Sequence, residues 1–286
     1  MKKYLSLVTF SHTIFAMPFA FIGFFLAINT TNEPFLWYKL LFMVLCMVFA
    51  RNSAMAFNRY LDRDIDAKNP RTKVRDIPAG RITAKNALVF TIINCLLFIV
   101  TTYFINSLCF MLSPIALLVV LGYSVTKRFT ALCHLVLGLG LSLAPIGAYL
   151  VVTGEFALLP VLFSLAVLCW VSGFDIIYAL QDEDFDREEN LHSIPSYLGK
   201  KNALLASNIL HVFAALFVIA PLFFTPLSWP YYIGLLIFIG MLIYQHQLVK
   251  PNDLSRVNFA FMTTNGIASV AFAVSFLFDI YYRTHL

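Results

Sequence analysis

Charged residues are scarce in this 286-residue chain, at 12% of the total, where an ordinary globular chain carries about a quarter. With 60% apolar residues and a mean hydropathy of +0.81, that scarcity excludes an ordinary water-soluble fold. Paired cysteines are lacking too. Cys46, Cys95, Cys109, Cys133 and Cys169 stand singly inside apolar runs with no CxxC pair, which argues against a disulfide framework and a zinc centre. No small-residue cleavage site follows the first apolar run, so no cleavable leader is expected. The formal charge of +5 does not mark a nucleic-acid surface, because the basic residues sit in short breaks between apolar runs. No nucleic-acid partner is expected.

What the chain has in abundance is apolar segments of membrane-spanning length. A bilayer-crossing helix takes about 20 residues. Runs near 10–28, 35–57, 85–105, 108–124, 132–153, 157–180, 202–224, 229–248 and 257–280 predict about nine transmembrane helices. The expected fold is all-α and polytopic, one membrane-embedded domain over residues 1–286. With the N-terminus in the cytoplasm, Lys2, Lys3, the basic residues of 59–85, Lys127, Arg128, Arg187, Lys200, Lys201, Lys250 and Arg256 fall inside, and only Lys39 and Arg283 outside. That asymmetry satisfies the positive-inside rule and predicts an odd number of crossings. Two cytoplasmic loops, 62–84 and 181–201, are longer and dense in Asp and Arg, and each follows an even-numbered span. The repeated arrangement points to a weak internal repeat, and these loops are expected to hold the chemistry.

In the first loop Asn58, Asp62 and Asp66 stand at successive i, i+4 positions and fan over roughly 80° of one helix face. Arg51, seven residues before Asn58, shares that face nearly two turns deeper. Ordinary solvated charge accounts for Arg63, Asp64 and Lys68. It accounts less well for three oxygen-bearing side chains in register, since like charges repel unless a cation lies among them. Oxygen ligands in this number suit Mg²⁺, which takes one or two carboxylates and completes its shell with water and phosphate oxygens. Downstream, Arg71, Arg75 and Arg81 supply guanidinium forks that fit phosphate oxygens. Alone they read as a basic loop; beside carboxylates they read as a diphosphate clamp.

The second loop repeats the geometry. Asp175, Tyr178, Asp182 and Asp186 lie within roughly 80° of one another if a helix continues through them. Asp175 is deepest, where a carboxylate costs about 2.5–3.5 kcal/mol on insertion scales, so it is expected either to have a role or to pair with a buried cation. Carboxylates from two stripes and a polyanionic diphosphate repel in a low-dielectric cavity unless divalent cations lie between them. Metals so placed stabilise charge developing on a leaving diphosphate. That favours breaking an allylic C–O bond over phosphate hydrolysis, which demands a positioned water.

Tyr123, Lys127 and Arg128 end the fourth span on the same side, where a diphosphate contact and a topology signal explain them equally well. A transporter also has many spans and intramembrane carboxylates, but has no need of duplicated acidic stripes beside Arg-rich loops. The D-x-x-D-G-x-x-A-R pattern of lipid phosphotransferases is absent.

These motifs resemble the UbiA superfamily of intramembrane prenyltransferases, close to the 4-hydroxybenzoate polyprenyltransferases. N-x-x-x-D-x-x-x-D stands as Asn58, Asp62 and Asp66, R-T-x-x-R as Arg71, Thr72 and Arg75, Y-x-x-x-K-R as Tyr123, Lys127 and Arg128, and Y-x-x-x-D-x-x-x-D as Tyr178, Asp182 and Asp186. The resemblance covers essentially the whole chain. It implies a helical bundle around a central cavity, open to lipid, in which a polyprenyl diphosphate meets Mg²⁺ near the cytoplasmic face. It further implies Asn58, Asp62, Asp66, Asp182 and Asp186 as metal-holding residues. Asp175 would orient or deprotonate an aromatic acid acceptor, and Arg71, Arg75, Lys127 and Arg128 would hold diphosphate or acceptor carboxylate. Arg51, Tyr123 and Tyr178 complete the expected substrate contacts. The implied reaction is prenylation of a small aromatic acid in quinone biosynthesis at a bacterial inner membrane, with a naphthoate of menaquinone biosynthesis as the alternative acceptor. The segment Leu191-His192-Ser193-Ile194-Pro195 departs from the 4-hydroxybenzoate pattern and resembles a branch of quinone-pathway enzymes with other acceptors. His12, at the start of the first span, reads as an interfacial hydrogen-bonded histidine, and the 29 Phe residues divide between lipid and a prenyl tunnel in a way periodicity does not sort.

Overall fold

The computed structural model describes Leu7 and residues 15–31 and 33–285; His12, Lys2 and Lys3 lie outside the described residues. Among the described residues nine long helices carry the fold: α1 Met17–Thr31, α2 Trp37–Leu61, α3 Ala84–Tyr103, α4 Ser107–Thr126, α5 Cys133–Thr153, α6 Leu158–Ala179, α7 Ile194–Ile219, α8 Trp229–Leu248 and α9 Asn265–His285. Eight are long and apolar enough to cross a membrane, several of them with the turns that extend them, and α1 is a shorter apolar helix. The protein is an all-helical, multi-pass integral membrane protein. Helix is the form these segments take because a backbone in hydrocarbon has no water partner and must satisfy its own N–H and C=O groups.

Polar side chains mark where the helices begin. Thr83 accepts from the Asn86 N–H at 3.2 Å before α3, Asn106 from the Cys109 N–H at 2.8 Å before α4, and Ser193 forms a capping box with Ser196 before α7. Each satisfies an N–H that the first turn leaves unpaired. Gly154, at φ 68°, ends α5 in the left-handed conformation that glycine adopts without strain.

Helix α6 is the centre of the bundle. It packs between α5 and α7, while α8 pairs with α9, α1 lies against α5 and α9, and α2, α3 and α4 form a second group leaning on α5. At Gly23 a Cβ would stand 2.0 Å from the Pro145 carbonyl oxygen, so α1 and α5 touch backbone to backbone. The phenylalanines divide accordingly. Phe19, Phe163, Phe238 and Phe272 are buried with Trp170 and Tyr231, ring against ring at 5.4–6.3 Å wherever they meet, and the Trp170 indole N–H reaches Asn265 Oδ1 at 2.8 Å. Of the α6 span 67% is buried, against 17% for α2 and α4. The weakly buried group therefore faces lipid on one side and a cavity on the other.

Both acidic motifs depart from the unbroken helix that their spacing predicts. Helix α2 stops at Leu61, Asp62 turns at φ −88°, ψ 5°, and a short helix Arg63–Lys68 follows. Helix α6 stops at Ala179, a tighter turn Leu180–Asp182 intervenes, Asp182 takes φ −105°, ψ 5°, and a short helix Glu183–Glu188 follows. The first break is braced from outside: Arg128 donates to the Leu61 carbonyl at 2.9 Å, satisfying a group left unpaired where the helix stops.

Candidate active site

A cavity of about 840 Å³ opens between the two helix groups. Its walls are apolar toward the middle of the bundle, with Met43, Phe98, Leu112 and Val151, and polar where both motifs end. Asn58, Asp62, Asp66, Asp175, Tyr178 and Asp182 all line it, as do Arg51, Arg71, Arg75, Tyr123, Lys127 and Arg128. Two of the residues expected from the sequence are outside this lining: Arg81, which pairs through Nε with Asp76 Oδ1 at 2.6 Å, and Asp186, which is buried behind the wall, 0% exposed, with Lys127 Nζ at 2.7 Å. The break at Asp182 explains its position, because Asp186 no longer continues the face of α6.

Each motif carboxylate is paired with a cation from another segment. Arg128 Nη1 donates to Asp62 Oδ1 at 3.1 Å and Arg75 Nη1 to Asp66 Oδ1 at 2.6 Å. Arg71 grips Asp182 with Nε at 3.0 Å and with Nη2, and donates from Nη1 to the Tyr178 hydroxyl at 3.1 Å. The guanidinium also lies over the Tyr178 ring, 5.3 Å from its centroid. Burial pushes the Asp62 carboxyl above its usual value, and Arg128 pulls the other way. For Arg71 burial opposes the charge, but the hydrogen bond and the charge of Asp182, together with Tyr178 and Asp66, outweigh it and hold the guanidinium above its usual value. The cations that the sequence suggests for diphosphate are thus already beside the carboxylates suggested for metal.

No motif in the sequence singles out Asn69 or His134. Asn69 donates to Asp182 Oδ1 at 3.1 Å and ties the first loop to the second motif. His134 Nδ1 lies 2.6 Å from Asp175 Oδ2. A lone histidine entering an apolar run is a signal in principle, since intramembrane ionisable residues are costly; Asn69 leaves none, because its partner is 113 residues away. His192 acts through its backbone, its N–H donating to the Lys127 carbonyl at 2.8 Å.

Among the described residues no three His, Cys, Asp or Glu side chains converge as a metal-holding group. The donors nevertheless fit Mg²⁺, which needs only one or two carboxylates when phosphate and water complete its shell. Asp66 Oδ2 is buried without a hydrogen-bond partner, and Asn58 donates its amide N–H to Asp62 Oδ2 at 2.9 Å. A buried anionic oxygen without a donor favours a cation beside it.

The sequence profile of the UbiA prenyltransferase family matches residues 16–267. The 4-hydroxybenzoate octaprenyltransferase of Tolumonas auensis is 32% identical over 238 residues, 82% of each chain. A UbiA homolog from Aeropyrum pernix K1, solved in its apo form, superposes with a TM-score of 0.81 at 29% identity, over 96% of this chain and 98% of that one. A UbiA homolog from Archaeoglobus fulgidus bound to DMAPP and Mg²⁺ shares the fold at a TM-score of 0.76 and 19% identity, over 98% of this chain and 99% of that one.

Proposed function

This chain belongs to the UbiA prenyltransferase family, and from that premise we propose that it transfers a polyprenyl group from an isoprenyl diphosphate to a 4-hydroxybenzoate-like aromatic acid in quinone biosynthesis, releasing diphosphate. The observation that carries the reading is one cavity that joins two acidic motifs and a cluster of cations that includes Arg71, Arg75, Lys127 and Arg128 to an apolar interior. The Tolumonas auensis relative's name supports the acceptor class, and the Archaeoglobus fulgidus neighbour supports an allylic diphosphate with Mg²⁺. The whole chain acts as one catalytic domain of a bacterial inner membrane, its motif loops facing the cytoplasm.

Bound Mg²⁺ supplies charge neutralisation for a diphosphate leaving group. Asn58, Asp62, Asp66 and Asp182 are the residues that would hold it, with Asp186 joined to the site through Lys127. Arg71, Arg75, Lys127 and Arg128 exchange carboxylate partners for phosphate oxygens, which guanidinium forks match in geometry. The allylic C–O bond breaks and its electron pair leaves with diphosphate. Tyr123, Tyr178 and Phe174 present electron-rich rings to the cavity that favour the cationic prenyl carbon.

Depth supports this acceptor. Arg51 precedes Asn58, and Asp175 precedes Asp182, by seven residues each, or about 10 Å along a helix. One level below the diphosphate end, the cavity therefore offers a cation for the acceptor's carboxylate and a carboxylate for its hydroxyl. Asp175 polarises or deprotonates the phenol, the ring carbon beside the oxygen bonds the prenyl carbon, and loss of that carbon's proton restores the ring.

The test is incubation of purified protein with Mg²⁺, polyprenyl diphosphates and a panel of benzoates and naphthoates, with products identified by mass spectrometry. A prenylated 4-hydroxybenzoate is expected; product from a naphthoate alone would reassign the acceptor, and no product from any acid would overturn the reading.

A further inference from the structure

We propose that His134 is a positioning residue for the acceptor, holding Asp175 so that one carboxylate oxygen is fixed and the other faces the cavity. The proposal rests on the reading of Asp175 given above and goes beyond it to a residue whose role no motif reveals.

His134 enters the cavity wall at the start of α5 and is buried, 3% exposed. Its Nε2 lies 3.3 Å from the backbone nitrogen of Ile194. A backbone N–H only donates, so Nε2 is the acceptor and carries no proton. In the neutral imidazole the proton is then on Nδ1, which points at Asp175 Oδ2, 2.6 Å away. The tautomer is set by a main-chain group, and the donor it creates is aimed at a carboxylate on the neighbouring helix.

Asp175 responds asymmetrically. Oδ2 is taken by His134, while no described residue hydrogen-bonds Oδ1, and the side chain remains 23% exposed beside the cavity. A base held by one oxygen keeps the other for the substrate proton and loses the rotation that would turn it away. Buried His211 makes a useful contrast. Its nitrogens face the Trp170 carbonyl at 3.2 Å and His246 at 2.8 Å, and it does not line the cavity.

The Ile194 contact also couples this device to the second acidic loop. His192 donates to the Lys127 carbonyl at 2.8 Å, and the Cys133 thiol lies 3.5 Å from the His192 carbonyl oxygen. The end of that loop is thus laid along the segment that carries Lys127, Arg128 and His134. The group that orients Asp175 is itself oriented by the chain just beyond Asp182 and Asp186.

The test compares His134→Ala, His134→Asn, His134→Gln, Asp175→Asn and the double variant His134→Ala/Asp175→Asn in detergent. Readouts are geranylgeranyl diphosphate affinity with Mg²⁺ and no acceptor, kcat and acceptor KM, and thermal midpoint. The amide nitrogen of Asn falls near the place of Nδ1, whereas that of Gln reaches only toward Nε2. His134→Ala and His134→Gln are expected to lower kcat on the order of 10- to 100-fold, a part of the roughly 10²–10⁴ that a positioned base supplies, with donor affinity unchanged. His134→Asn is expected to recover most of the loss, and the double variant to be no slower than Asp175→Asn, since the pair acts as a unit. Wild-type kcat in His134→Ala, or Asn no better than Gln, or losses that multiply in the double variant, would overturn the proposal while leaving Asp175 in place. If His134→Ala fails to fold, the Asn and Gln comparison decides. Full transfer by Asp175→Asn would overturn the Asp175 reading and this inference with it.

Discussion

Arg75 Nη1 lies 2.6 Å from Asp66 Oδ1, while the other carboxylate oxygen of Asp66 is buried without a hydrogen-bond partner. One oxygen is thus balanced by the protein and the other is left for a cation. Replacing Asp66 removes both. Asp66→Ala is expected to reduce prenyl transfer by at least about 100-fold through lost stabilisation of the leaving charge, as are Asp62→Ala, Asp182→Ala and Asp186→Ala, in protein that still elutes as a folded species. Near-normal turnover in any two would sink the two-motif account.

Chelation should act at the same place. Transfer is expected to stop after exhaustive EDTA treatment and to return with Mg²⁺ or Mn²⁺, both of which accept oxygen ligands. Product formation that persists after chelation, measured by mass spectrometry, would contradict the charge argument.

The Lys127 and Asp186 pair separates folding from chemistry. Asp186 is fully buried and Lys127 is about one-third exposed, so Lys127→Met leaves a buried charge only partly screened by water. A loss of about 1–3 kcal/mol is expected, below the 3–5 of a fully buried pair. Adding Asp186→Asn should restore the thermal midpoint without restoring turnover. Recovery of both would make the pair purely structural.

For Arg51 the expected signature is in the acceptor alone. A hydrogen bond to a charged group contributes about 1.5–3 kcal/mol, so Arg51→Ala should raise acceptor KM by about 10- to 100-fold with donor affinity unchanged. Equal weakening of donor and acceptor, measured by titration and steady-state kinetics, would move Arg51 to the diphosphate.

Asp175→Asn keeps size and removes the base. Donor affinity should hold while transfer falls on the order of 100-fold or more. Parallel loss of both would place Asp175 with the metal-holding carboxylates.

Those features of this protein that depend on near neighbours are readable from its residue order alone. Apolar runs of about 20 residues can satisfy their backbone in lipid only as helices, so the helical, multi-pass fold was legible. Residues at i, i+4 share a face, which is why spacing alone groups Asn58 with Asp62 and Asp66, and Asp175 with Tyr178 and Asp182, and all six line one cavity. Tertiary structure decided what spacing does not encode. The helix break at Asp62 is braced by Arg128, 67 residues beyond Leu61. Asp186 turns behind the wall because α6 breaks at Asp182, which Arg71 grips from 111 residues away. His134 meets Asp175 across 41 residues, and its tautomer is set by a backbone N–H 60 residues further on. Local periodicity is a property of one helix, whereas the partner of a buried charge is chosen by whichever helices pack together, and no residue's own neighbours in sequence carry that choice.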